Sequence, residues 1–348
     1  MYTSRPTDCR LRRWYRRYQE ELSLTGAREP QQTGVRHRRC AHILRYLKEV
    51  SRKGKAMTFE IRKVTVLGTG VLGSQIAFQT ALHGFDVTAY DIDEDALTAA
   101  RDRFAKLAAT YRDEVPGAAD GTADKTASSI ELSCDLAHAV ADADLVIEAV
   151  PEVVSIKQDI FKRLSELAPE RAIFVTNTGH LLPSELKDFT GRPDKFLALH
   201  FANEIRERNT AEVMGTPETD PAVYRAVVDF AAAIGMEPIE LHKEKAGFLL
   251  NSMFIPFTNA ALGLAVDGYA EPEMIDKTWR IGTRASMGPF QLLDIIGFNS
   301  AYNALSSGNE DEQRFAAWLK ENYIDKGKLG VATGEGFYRY PANNTTEA

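Results

Sequence analysis

Apolar and polar positions in this chain first follow a strand-and-helix alternation and then a purely helical rhythm. The first 56 residues show little apolar periodicity. From Ile61 the text changes: Val64-Thr-Val-Leu67 is a short β-branched run, and a helical pattern covers Ser74–His83 up to Gly84. Asp86-Val-Thr-Ala-Tyr90 predicts a second strand and Asp95–Tyr111 a helix, followed by a polar insert over 113–128. A buried strand at Leu145–Ala149, a helix at Ile156–Leu167, and strands at Ile173–Thr176, Phe196–Leu199 and Ala211–Met214 continue the series. Strands alternating with helices imply an α/β fold built on a doubly wound, mostly parallel sheet. After a strand near Pro238–Leu241 only helices are predicted, over Gly247–Ala265, Glu271–Ile281, Gly288–Phe298 and Glu310–Asn322. The low polarity of Leu249–Leu264 is expected where helices pack on another surface. The pattern predicts a sheet domain over residues 57–243 and an all-α C-terminal domain over 244–348, joined near Lys243-Glu-Lys245.

Composition adds exclusions. Of 348 residues 44% are hydrophobic and 26% charged, enough apolar material for a large core and not the composition of a disordered chain. No run approaches the length a membrane span needs. Cys9, Cys40 and Cys134 are far apart without CxxC spacing, so neither a disulfide framework nor a metal is expected, and a reducing cytoplasm is the default compartment. Residues 1–56 carry 12 Arg and 3 Lys against 5 acidic residues, a net of +10, which leaves −17 on the remainder. So acidic a body is a poor nucleic-acid binder, and no nucleic-acid or membrane partner is expected. The basic extension admits three readings: a polyanion-binding arm, a targeting peptide, or sequence upstream of the true start. Strand-like text begins directly after Met57, which favours the third.

The chemistry begins at Gly68-Thr-Gly70-Val71-Leu72-Gly73, between the first strand and its helix. Such a turn needs glycine for a tight bend, for close approach of backbone to a pyrophosphate, and for helix–strand packing. The N–H groups opening the helix then face the phosphates. Asp91 ends the second strand, where a carboxylate accepts hydrogen bonds from ribose hydroxyls, and Ile92 follows it rather than an arginine, so NAD is favoured over NADP. The unit is Rossmann-like, and the strands' carboxyl ends place Glu148, Pro151, Glu152, Asn177 and His200 near one crevice. His200 closes a strand, and a loop and returning strand can bring Glu212 beside it. An imidazole suits proton transfer during hydride transfer at an alcohol carbon, with a carboxylate fixing its tautomer. On spacing alone, a structural histidine at a sheet edge is the favoured reading.

Residues 60–340 resemble the 3-hydroxyacyl-CoA dehydrogenase family, in the branch that holds 3-hydroxybutyryl-CoA dehydrogenases and a bacterial diketoreductase. The likeness runs through the glycine turn, His200-Phe-Ala-Asn203, Glu212, Gly247-Phe-Leu-Leu-Asn251, Gly288-Pro-Phe290 and Gly334-Glu-Gly-Phe-Tyr338. It implies His200 as catalytic acid/base with Glu212 as its partner, and Asn203 and Asn251 ordering substrate and nicotinamide. Glu152, Lys157 and Asn177 join Gly68, Gly70, Val71, Leu72, Gly73 and Asp91 as expected cofactor contacts. A homodimer through the helical domain and a short acyl-CoA or 3-keto ester as substrate are implied too.

Three departures stand out. Where the family usually has Asn-Thr-Ser-Ser, with a serine hydroxyl on the substrate oxygen, this chain reads Asn177-Thr-Gly179-His180. Thr178 or a water can be imagined in its place, and His180 is either a new polar contact or exposed. Ala332 stands where many relatives carry a lysine before Thr333-Gly334. The loop Glu204-Ile-Arg-Glu-Arg208 is charged where the family is largely apolar, so Arg206 or Arg208 either reads a substrate anion or is solvated. All three bear on the substrate more than on the redox chemistry.

Overall fold

The computed structural model describes residues 59–340 apart from 116, 117 and 119; the basic extension and its alternative readings lie outside the described residues. Strands β1 (Lys63–Leu67), β2 (Asp86–Tyr90), β3 (Glu131–Ser133), β4 (Leu145–Glu148), β5 (Ile173–Thr176), β6 (Phe196–Phe201), β7 (Thr210–Gly215) and β8 (Glu237–Leu241) form one sheet in the order β3-β2-β1-β4-β5-β6-β7-β8. The first six strands run parallel, β7 turns antiparallel to β6, and β8 runs parallel to β7. Strand order reverses between β1 and β4, and a ligand crevice opens at such a switch point.

Helices α1 (Val71–Leu82), α2 (Glu94–Glu114), α3 (Thr122–Ser129), α4 (Leu136–Val140), α5 (Val154–Leu167) and α6 (Pro221–Ala233) cover the sheet. Alternation along each strand feeds two cores. Val64, Val66 and Ile147 pack with Phe78, Phe104 and Val227 on one face, while Leu67, Val146 and Phe174 pack with Phe161, Leu164 and Phe196 on the other. The expected polar insert holds a helix, α3, entered through Gly121 in the left-handed region at φ 88°. Strand β3 and helix α6 were not anticipated. Yet α6 carries local start signals, since the Asp220 carboxylate caps Ala222 N and Pro221 occupies the first turn.

The C-terminal half is helical as expected: α7 (Leu250–Val266), α8 (Pro272–Thr283), α9 (Pro289–Ile296), α10 (Phe298–Ser306) and α11 (Glu310–Asn322). The helix predicted over Gly288–Phe298 stops at Ile296, because Gly297 at φ 86° turns the chain into a separate helix, α10. The helix predicted from Gly247 starts only at Leu250. Phe290, Phe298, Phe315, Leu319 and Phe337 form its core. Two buried carboxylates stitch this half together. Asp276 accepts from Phe290 N, Gln291 N and the Tyr338 hydroxyl, and Asp294 from Phe337 N, Tyr338 N and the Tyr340 hydroxyl. The Gly334–Tyr338 motif is thereby part of the packing, and a Cβ on Gly336 would meet Asp294 Oδ1 at 2.1 Å. Among the described residues no helix is long and apolar enough to cross a membrane.

Candidate active site

The cofactor end is built by the turn between β1 and α1. Gly68 adopts φ 92°, and a Cβ there would lie 2.6 Å from Ala149 O. A Cβ on Gly73 would meet Gly68 O at 1.9 Å, so helix and turn touch backbone to backbone. Gly70 has nothing within 4 Å of its Cβ direction, which leaves this side of the turn open to a ligand. No side chain caps α1, and the N–H groups of its first turn, from Val71 and Leu72 onward, remain available to an anion. Asp91 grips the turn from β2: its Oδ2 accepts from Thr69 N at 2.8 Å and Thr69 Oγ1 at 2.6 Å, and its Oδ1 accepts from Ile92 N at 2.9 Å. A carboxylate oxygen has further lone-pair capacity for a ribose hydroxyl. These residues fit a dinucleotide. Arg103 of α2, which the linear sequence does not connect to the turn, donates to Thr69 O at 3.2 Å and puts a cation beside the same loop.

At the other end β6 and β7 place His200 directly opposite Glu212 in the antiparallel register. His200 Nδ1 stands 2.9 Å from Glu212 Oε2. With the carboxylate on Nδ1, that nitrogen carries the proton in the neutral ring and Nε2 is left with a free lone pair. Glu212 Oε1 accepts from Leu249 N at 2.8 Å and Leu250 N at 3.1 Å at the start of α7. Burial by itself would push the Glu212 carboxyl up, but the bonds from His200 and the two backbone N–H groups outweigh it and hold it below its ordinary value. Asn251 Nδ2 donates to Gly179 O at 3.2 Å, which ties α7 to the loop after β5. Asn177 Oδ1 accepts from Phe201 N at 2.9 Å and locks the ends of β5 and β6 together. Asn203 lies exposed in the bend that follows β6.

Family models reproduce this two-part layout: "3-hydroxyacyl-CoA dehydrogenase, NAD binding domain" matches residues 63–245 and "3-hydroxyacyl-CoA dehydrogenase, C-terminal domain" matches 247–340. The chain belongs to the 3-hydroxyacyl-CoA dehydrogenase family. It is an NAD-dependent oxidoreductase. It is 34% identical over 288 residues to the mitochondrial hydroxyacyl-coenzyme A dehydrogenase of Rattus norvegicus, covering 80% of this chain and 91% of the relative. It is 33% identical to a probable 3-hydroxybutyryl-CoA dehydrogenase of Bacillus subtilis (strain 168), covering 81% and 98%. Among solved structures it is similar to a diketoreductase described for dual catalysis of dicarbonyl compounds, with TM-score 0.79 and 65% identity over 80% of this chain and 99% of the other.

In this member of the 3-hydroxyacyl-CoA dehydrogenase family an ion cluster joins the ends of β4 and β5 to α5. The Lys157 ammonium, with no exposed surface, sits 2.6 Å from Glu148 Oε1 and 3.1 Å from Glu152 Oε2. The expected direct cofactor contact of Lys157 therefore has no surface to act through. Glu148 also accepts from Thr176 Oγ1 at 2.6 Å and Val150 N at 2.9 Å. Burial pushes its carboxyl up, against the opposing pull of Lys157. Glu152 is desolvated too, yet Lys157 and the Thr178 hydroxyl hold its carboxyl below the ordinary value. Its Oε1 takes the Thr178 hydroxyl, Gly179 N at 3.0 Å and His180 N at 3.3 Å, and so shapes the turn that faces His200.

This geometry decides two of the sequence alternatives. The Thr178 hydroxyl is buried and committed to Glu152, so it does not replace the family's serine. His180 is exposed. A methyl group at Gly179 would lie 3.4 Å from both His200 Nε2 and Asn251 Nδ2, so the position that lacks the serine lies beside the His200–Glu212 pair. In the charged loop, Arg206 pairs with Glu114 at 2.5 Å and Glu207 at 2.7 Å, and Arg208 with Glu204 at 3.3 Å. Both are paired with partly exposed carboxylates and keep exposed surface of their own, which fits a solvated charged loop better than an anion-reading role. Ala332 is exposed in a single 3-10 turn, Val331–Thr333.

The glycine turn yields a direct prediction. A Gly73→Ala change forces backbone apart at the turn, and overpacking of this kind costs about 1–3 kcal/mol. We expect NADH affinity, measured by fluorescence titration, to fall by ~10-fold or more. Unchanged affinity would show that the turn does not set the cofactor site.

Proposed function

We propose that this enzyme interconverts a short (S)-3-hydroxyacyl-CoA and its 3-ketoacyl-CoA in fatty acid metabolism, with His200 as acid–base catalyst. The observation that carries this reading is the His200–Glu212 pair, 2.9 Å apart in strand register, in a chain whose other end holds a dinucleotide turn. NAD, when bound, supplies the hydride acceptor, and NADH the donor. In the oxidative direction neutral His200 Nε2 takes the hydroxyl proton; in the reductive direction the imidazolium polarises the ketone and returns it. Glu212 keeps the ring in the required tautomer and balances the charge when the ring is protonated. Asn251 and Gly179 line the substrate end with Asn203 beside it, while Gly68, Gly70, Val71, Leu72, Gly73 and Asp91 hold the cofactor with Asn177 behind them. Glu152 faces the cofactor side, and Lys157 acts through it.

A second reading keeps the chemistry and replaces the thioester with a free 3-keto acid, ester or dicarbonyl compound, as for a diketoreductase or a carnitine dehydrogenase. The 65% identity to the diketoreductase favours it, as do Gly179 and Ala332. NADH oxidation by the purified protein with acetoacetyl-CoA beside a free 3-keto ester separates the two. The first reading expects kcat/KM for the thioester to be higher by ~10-fold or more, and a reversed ratio replaces it with the second.

The same reading includes a division of labour between residues 57–243 and 244–348, a homodimer and a cytoplasmic location. Exposed Met253, Leu264, Trp279 and Ile281 on α7 and α8 support an apolar contact between two copies. Arg280 Nε on the same helix is buried without a hydrogen-bond partner among the described residues, as expected of a group completed by a neighbour.

A further inference from the structure

The segment Gly247-Phe-Leu-Leu-Asn251 brings three groups to the acid–base pair. Leu249 and Leu250 offer N–H groups to Glu212, and Asn251 reaches Gly179 O. The third is the ring of Phe248, stacked on the His200 imidazole with centroids 4.7 Å apart and planes 30° from parallel.

The backbone is distorted to put that ring in place. Phe248 has φ 51° and follows Gly247 at φ 77°, so two consecutive residues are left-handed. Glycine adopts this freely, but a bulky L residue does so only when its surroundings impose it. Those surroundings are visible: Phe248 N donates to Lys245 O at 2.9 Å, the Ser252 hydroxyl donates to Phe248 O, and the fully buried ring packs with Ala198, Met214 and Leu241. One strained residue thus delivers its buried ring to the imidazole.

One hydrogen bond orients that imidazole only loosely. The Glu212 contact anchors Nδ1 and so restrains rotation about the Cβ–Cγ bond, but a hydrogen bond tolerates a range of ring tilts and the terminal torsion of histidine is intrinsically broad. A flat face against the ring narrows that range. We propose that Phe248 is a positioning residue for the reaction: its stacked ring sets the plane of His200 and so aims Nε2 at the substrate oxygen. The inference rests on His200 being the acid–base group.

The test compares Phe248→Leu, which removes the flat face, Phe248→Met, whose flexible chain refills the space if leucine does not fold, and Phe248→Tyr, which restores an aromatic ring. Leucine and methionine should lower kcat by ~10- to 100-fold while KM for the keto substrate and Kd for NADH stay within about twofold. The solvent deuterium isotope effect on kcat should rise as proton transfer becomes limiting, and tyrosine should recover most of the rate. Wild-type turnover in a folded Leu or Met variant overturns the proposal, as does a folded Tyr variant as slow as Leu. In the unaltered protein, NMR should show the His200 ring protons shifted upfield by the Phe248 ring; their absence from that region overturns the stack whatever the variants do. A wild-type protein inactive on every 3-keto compound but showing the upfield protons would instead mark failure of the proposed activity.

Discussion

Replacing His200 with alanine should lower kcat by ~10²–10⁴-fold, the range a positioned acid–base group contributes. NADH affinity should barely change, because the dinucleotide turn and Asp91 belong to the β1–α1–β2 unit and His200 to β6. Steady-state kinetics with fluorescence titration of NADH reads both quantities. Turnover within a fewfold of wild type would remove His200 from the mechanism. Loss of NADH binding in parallel would mean that the side chain supports the fold instead. Alanine also leaves the Glu212 carboxylate facing an empty position, but Glu212 retains the Leu249 and Leu250 N–H groups, so its burial remains compensated.

The second large effect concerns stability. Lys157→Met keeps most of the buried chain and removes the ammonium between Glu148 and Glu152. Breaking a buried ion pair from one side costs ~3–5 kcal/mol, since the remaining charge is stranded. Urea unfolding at neutral pH should show a loss of that order, together with weaker NADH binding as Glu152 and the Thr178–His180 turn loosen. The pH dependence has a definite sign. Burial already pushes the Glu148 carboxyl up, and without Lys157 nothing cationic opposes it. A carboxyl raised in the folded state destabilises the fold increasingly as pH rises from its ordinary value towards the raised one, so the deficit should shrink on acidification as Glu148 takes a proton. A deficit that stays constant, or grows, between pH 7 and about 5 would exclude a stranded carboxylate as its cause.

Each predicted effect rests on residues that differ in how readily the linear sequence exposes them. His200 and Glu212 were legible as a candidate pair, because a strand, a loop and a returning strand leave few other registers. Lys157 was read as a cofactor contact by resemblance, and only its burial between two carboxylates shows what it touches. Thr178 looked able to replace the family's serine until its hydroxyl proved committed to Glu152. Phe248 stood inside a recognised motif with no visible purpose, since φ sign and ring stacking leave no trace in residue spacing. The break at Gly297 was legible in principle, because a glycine between two helical patterns is a stop signal. Helix α3 was harder to see, because its short polar face carries little periodicity.

By itself the sequence determined what depends on neighbours along the chain: the alternation that makes a doubly wound sheet, the glycine turn that only a residue without Cβ can form, the carboxylate ending β2, and the helical second half. The tertiary structure alone decided what depends on groups brought from afar. It joined Arg103 to the turn, Lys157 to Glu148 and Glu152, and α7 to Glu212 and Gly179. The physical reason is that periodicity and turn chemistry are short-range properties, whereas the partner of a buried charge or the plane of an imidazole is set by packing between segments tens of residues apart.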